Sequence, residues 1–165
     1  MPLFIQALAV IAFICFFVSF QTKSRKEILL WQIVGLLFYI THYALLEAWS
    51  GALLTTLNLL ITIFFLFKDS RWWIKSRYFL LGALLTLGIA TMFTWTGYYS
   101  ILPLVGVSTI VLAKWQRKPN NIRSISIFNS VFWIIYDMFV GSCGGVISET
   151  GIIISIVIGL VRSRK

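Results

Sequence analysis

The chain is short of acid, histidine, cysteine and proline, and each shortage removes a class of function. Only five acidic residues stand against fourteen Lys and Arg, and there is one histidine, His42. No CxxC, HExxH, Walker A or GxSxG pattern occurs, so no metal, nucleotide or nucleophile motif is on offer. The two cysteines, Cys15 and Cys143, lie in different segments and form neither a metal set nor a disulfide framework. No metal and no cofactor is expected. Charged residues make up only 12% of the chain, which excludes an ordinary soluble domain. The formal net charge of +9 would point to nucleic acid in a soluble protein. Here the charges fall in short clusters between apolar runs, so membrane topology explains them and no nucleic-acid partner is expected.

What fills the chain instead is apolar. Hydrophobic residues account for 59% of it and the mean hydropathy is +0.93. Seven runs can be drawn, at 3–20, 28–46, 50–67, 78–95, 98–113, 125–141 and 145–161. Each is about 16–19 residues, enough for a hydrocarbon core of about 30 Å at about 1.5 Å per residue. No basic residue precedes the first run and no small-residue cleavage site follows it, so it reads as a span rather than a signal peptide. With the N-terminus outside, all fourteen basic residues fall on the inner side. They group as Lys23, Arg25 and Lys26; Lys68, Arg71, Lys75 and Arg77; Lys114, Arg117, Lys118 and Arg123; and Arg162, Arg164 and Lys165. The positive-inside rule therefore selects seven spans, N-out and C-in. Trp49 and Trp95 fall at outer ends, and Trp72, Trp73 and Trp115 at the inner interface, as an aromatic belt requires.

A weak internal duplication runs through this pattern. Gln32, Gly35, Tyr39 and His42 share one helical face. A shift of 94 residues carries them to Ser126, Asn129, Trp133 and Tyr136, and carries Gly51 to Gly145 and Lys68 to Arg162. The expected architecture is all-α and transmembrane: two parallel three-helix repeats joined by one linker helix. The expected units are residues 1–67, the loop and linker helix at 68–96, and residues 97–165.

The arrangement resembles the SWEET and PQ-loop superfamily. More closely, His42 and Tyr43 followed by Glu47, Ala48, Trp49, Ser50, Gly51, Ala52 and Asn58 resemble the YgjV-type family of bacterial inner membrane proteins. So do Trp133, Tyr136 and Asp137 followed by Gly141, Ser142, Cys143, Gly144, Gly145 and Val146. The resemblance covers nearly the whole chain. It implies a multi-pass protein of the bacterial inner membrane. The chain has no Pro-Gln motif, and only Pro103 lies within a span, so a hinge built on several prolines is not expected.

Polar side chains inside a span must find partners or a wet cavity, and this selects the candidates. Asp137 reads as the one acid well inside a span, either a substrate contact or proton acceptor, or a carboxyl bonded to a neighbouring helix. His42 reads as a titrating group or a structural hydrogen-bonder. Asn58 bonds a solute or joins two helices; by resemblance to SWEET-like proteins, an asparagine of the third helix lines a sugar site. Tyr39 and Trp133 stack on a ligand ring or pack the core. With Asn129 and Tyr136 these complete the expected substrate-binding set. Glu149 reads as a helix N-terminal charge near the outer surface, and no lysine is expected within a span. The leading reading is a transporter or facilitator for a small polar, sugar-like solute. The alternative is a non-transporting receptor or assembly subunit. One histidine and one deep carboxylate make a thin catalytic set, so no enzymatic activity is expected.

Overall fold

The computed structural model describes residues 3–163. Arg164 and Lys165 of the basic tail lie outside the described residues. Among the described residues there are seven α-helices and no strand: α1 Leu3–Gln21, α2 Arg25–Leu45, α3 Trp49–Leu66, α4 Arg77–Phe93, α5 Ile101–Trp115, α6 Pro119–Phe139 and α7 Cys143–Arg162. They fall at the seven apolar runs. A short 3-10 turn, Tyr98–Ser100, leads into α5.

Helix ends follow local chemistry. Ser142 accepts from the backbone N–H of Gly145 and so caps α7, and Ser76 caps α4 through Tyr78. Pro119 starts α6, where its missing N–H leaves nothing unpaired. The ends of α2 and α6 are alike. Glu47 (φ 55°) and Gly141 (φ 70°) both take the left-handed conformation just past the helix. The next residue then donates back across the last turn: Ala48 N–H to Tyr43 O at 3.0 Å, and Ser142 N–H to Asp137 O at 2.8 Å. These are Schellman endings, which satisfy carbonyls the helix leaves open.

Helix α2 packs between α1 and α3, and α6 between α5 and α7. Helix α7 lies on α1 and α3 lies on α5, which closes six helices into a ring. Helix α4 packs outside, against α3 and α5, and buries only the stripe Ala83, Leu87 and Thr91. Large apolar side chains stay exposed around the bundle, among them Leu85, Met92, Phe128, Ile147 and Ile154. In a helical bundle of this composition such a surface fits lipid.

Five of these helical segments are long and apolar enough to cross a membrane: α1, α2, α3, α5 with its leading turn, and α7. Helix α4 is apolar but has 17 residues. Helix α6 has 21 residues but carries Arg123, Ser126, Ser130 and Asp137, all of them buried. A hydropathy average counts those groups without regard to the face they occupy.

At one end, arginines clamp helix ends. Arg25 Nη2 donates to the carbonyls of Phe65 and Lys114, both at 3.1 Å, and its Nε to Gln116 O at 3.1 Å. Arg123 Nε donates to Phe20 O at 2.9 Å and its Nη2 to Thr22 O at 2.6 Å. Each arginine takes up carbonyls that the ends of α1, α3 or α5 cannot satisfy. Lys68, just past α3, donates to Trp115 O and sits 3.4 Å from the centre of the Trp115 ring. Burial, with the charges of Arg25 and Arg117 nearby, pushes its pKa down to about 8.

Glu47 pays the steric penalty of the left-handed region, about 1–2 kcal/mol for an L-residue. Glu47→Gly is expected to raise stability by about 1 kcal/mol, and Gly141→Ala to lower it by a similar amount. Thermal unfolding of the detergent-solubilised protein checks both.

Candidate functional site

The faces singled out in the sequence turn inward. Gln32, Gly35, Tyr39 and His42 of α2 are buried, as are Ser126, Trp133 and Tyr136 of α6; Asn129 is half-buried. The two helices meet across the middle. Tyr43 OH donates to Asp137 Oδ1 at 2.9 Å. The Tyr43 ring stacks on Trp133 at 5.1 Å and on Tyr39 at 5.9 Å, forming a three-ring pile through the centre.

Around this contact the far end is tied shut. Tyr136 OH accepts the backbone N–H of Gly51 at 3.1 Å, one of the open donors in the first turn of α3. A Cβ at Gly51 would stand 2.9 Å from the Tyr136 ring, so the approach requires glycine. His42 lies beside it. Its Nδ1–H donates to Ile5 O at 2.8 Å, and Nε2 accepts from the hydroxyl of Ser142 at 2.8 Å. His42 thus joins α1 to the start of α7 with both ring nitrogens engaged.

Below this layer, toward the basic clusters, a small cavity opens between α2, α3, α6 and α7. Tyr39, Asn58, Asn129, Trp133, Thr55 and Glu149 are among its lining residues. The space open to the centre of a water molecule is about 30 Å³, room for a water or two. Of the seven expected site residues, Tyr39, Asn58, Asn129 and Trp133 line it; His42, Tyr136 and Asp137 do not and belong to the tied end. Trp133 Nε1 donates to Asn129 Oδ1 at 3.1 Å. Tyr39 OH, Thr55 Oγ1, Ser130 Oγ and Glu149 Oε2 are buried around it without a close hydrogen bond, the Tyr39 and Ser130 hydroxyls facing the Glu149 carboxyl.

Two expectations are corrected here. Glu149 is not a surface charge. It is 5% exposed and lies on the buried stripe of α7 that runs Gly145, Ser148, Glu149, Ile152, Ser155, Ile156 and Gly159. Its place in that run, four residues after Gly145 and three before Ile152, is the signal that marks it as inward. The interior therefore holds two acids, Glu149 and Asp137. Lys114 is not a loop residue either. It sits in the last turn of α5, fully buried, on the face of Val107, Ile110 and Val111. Its Nζ donates to Asn58 Oδ1 at 2.9 Å and to Thr62 Oγ1 at 2.7 Å. Thr62 in turn donates to Asn58 O at 2.6 Å. A buried lysine thus fixes the amide whose side chain lines the cavity. Among the described residues, no three of His, Cys, Asp and Glu gather as a metal-binding group.

Removing one member of this triad leaves its partners buried and unpaired, at about 1–3 kcal/mol. Lys114→Met is expected to lower stability by that amount in a thermal unfolding assay. Adding Asn58→Leu and Thr62→Val removes the stranded acceptors and is expected to restore most of the loss.

Residues 3–165 match the family model Imp-YgjV, described as a bacterial inner membrane protein. No curated protein and no solved structure matches the chain. With a match over nearly its whole length, the chain belongs to the Imp-YgjV family of bacterial inner membrane proteins.

Proposed function

We propose that the protein is a transporter or facilitator for a small polar, sugar-like solute, built as two parallel three-helix units with a linker helix between them. The observation that carries this reading is the convergence of Tyr39, Thr55, Asn58, Ser130 and Glu149 on one cavity beside the Tyr39 and Trp133 rings, with the Tyr39 and Ser130 hydroxyls facing the Glu149 carboxyl. Hydroxyl, carboxylate and amide groups beside stacked aromatics suit a polyol or sugar face. At about 30 Å³ the cavity is closed around water-sized space, and a solute enters when α2 and α6 part. The Tyr43–Asp137 bond and the Tyr136–Gly51 bond close the path toward the far end. The Lys114 triad and the Arg25 clamp close it toward the basic end.

Side-chain pairing supports the repeat. Tyr43 and Asp137, bonded to each other, stand 94 residues apart. Residues equivalent under one axis meet each other when they lie on it. Glu47 and Gly141, the two left-handed helix ends, have the same separation. So do the carbonyls held by Arg123 at Phe20 and Thr22 and those held by Arg25 at Lys114 and Gln116. The packing of α1 on α7 and of α5 on α3 exchanges under the same relation.

A second reading, a receptor or assembly subunit that does not transport, draws on the tightness of the centre. Sites for small molecules usually offer about 300–1,000 Å³, and here aromatic rings fill that space. Neither reading assigns the protein a catalytic role.

Reconstituted into liposomes, the protein is expected to carry at least one member of a panel of sugars, amines and organic acids. Asn58→Ala and Trp133→Ala are expected to abolish that flux while the protein still inserts and folds. No flux for the whole panel, with a stable co-purifying protein, moves the conclusion to the second reading. For topology, N-out and C-in, a reporter active only in the cytoplasm is expected to work after Arg77, Lys118 or Lys165 and to fail after Trp49 or Thr96. Equal activity after Thr96 and Lys118 removes the seven-span drawing.

A further inference from the structure

A second opening lies at the basic end, away from the central cavity and separate from the transport reading. It is a cleft of about 580 Å³ where the C-terminal ends of α1 and α7 meet the N-terminus of α6. Among the described residues, four cations line it, Lys23, Lys118, Arg123 and Arg162, and no acid does. Lys23 and Lys118 are exposed, and among the described residues no hydrogen bond holds their ammonium groups elsewhere.

Arg123 gives the cleft a fixed floor. It is 4% exposed and donates to Phe20 O, Thr22 O and Asn120 Oδ1, which uses three of the five N–H donors of a guanidinium. Gly159 makes this possible, because a Cβ there would stand 2.9 Å from Arg123 Nε. Arg162 is steadied by Gln21, whose Nε2 is bonded to Ser155 at 2.8 Å. The N-terminus of α6 opens on the same space with no side-chain cap, and its dipole adds to the positive field.

A site with this volume, four positive groups and no negative one selects an anion with a bulky polar body. The geometry points to the phosphodiester headgroup of an anionic phospholipid. A lipid source is favoured over a free anion by position. The cleft lies where apolar helices end in basic clusters, and Ile158 and Val161 of α7 present exposed apolar side chains beside Arg162, along which acyl chains can lie. Basic pockets between helices at such an interface suit anionic headgroups.

The test is lipid retention by the detergent-solubilised protein, read by native mass spectrometry. The probes are phosphatidylglycerol, phosphatidylcholine and inorganic phosphate. Phosphatidylglycerol is expected to be retained well above phosphatidylcholine. The double variant Lys23→Gln/Lys118→Gln is expected to lose about 25-fold of that retention, each cation contributing roughly fivefold. The control Arg71→Gln/Lys75→Gln, at the same end but outside the cleft, is expected to keep it. Equal retention of the two lipids, or equal loss in both double variants, overturns the site in favour of diffuse surface attraction. Binding of inorganic phosphate that displaces the lipid overturns the lipid assignment and leaves an anion site. Melting of each variant without added lipid, expected to be unchanged, separates lost binding from lost fold.

Discussion

Hydrocarbon offers a hydrogen-bonding side chain nothing, and this constraint orders the interior of the protein. A polar group in the middle of α2 or α6 turns to the centre or, as Thr41 does with Leu37 O, bonds its own helix, since an unpaired one in lipid costs several kcal/mol. The Tyr43–Asp137 bond is where the two inner faces meet. Asp137 sits at the position whose carbonyl closes the Schellman ending of α6, and Tyr43 holds the same position in α2. Each residue therefore terminates its own helix through its backbone and joins the other helix through its side chain. Local structure and tertiary contact are fixed by the same two residues, which sets the register of α2 against α6.

The charged end obeys the same constraint from the other side. Helix ends leave carbonyls open, and the arginine forks of Arg25 and Arg123 reach across to hold those of α5, α3 and α1. Guanidinium suits this task because its donors are planar and divergent, so one side chain satisfies carbonyls on different helices. The basic residues gathered at this end thus have structural work in the fold. Arg25, Lys68 and Arg123 are structural clamps, and Lys23, Lys118 and Arg162 line the cleft at the ends of α1, α6 and α7 together with Arg123.

Between these two tied ends the middle is less completely satisfied. Tyr39, Thr55, Ser130 and Glu149 bury polar atoms without close hydrogen bonds, while Asn58 is held by Lys114 and Thr62. Buried polar groups in proteins are nearly always paired, so loosely paired ones around a cavity leave donors and acceptors that a water can meet. The aromatic pile of Tyr39, Tyr43 and Trp133 fills the space beside them.

The amino-acid sequence by itself determined the class, the number and place of the helices, and the inward faces of α2 and α6. Those properties are written in periodicity and composition, which act within a single helix. It also marked Asn58, Tyr39 and Trp133, because polar and aromatic groups at helical spacing have few places to go in lipid. It misplaced Lys114 and Glu149. Both stand near span ends, where a charge alone reads as a loop or a cap, and their burial depends on neighbours far along the chain. It left His42 undecided until the partners from α1 and α7 were known. Which groups pair, which stay unpaired and how much room remains between them were decided only by tertiary packing. Those are relations between helices, and no stretch of one helix contains them.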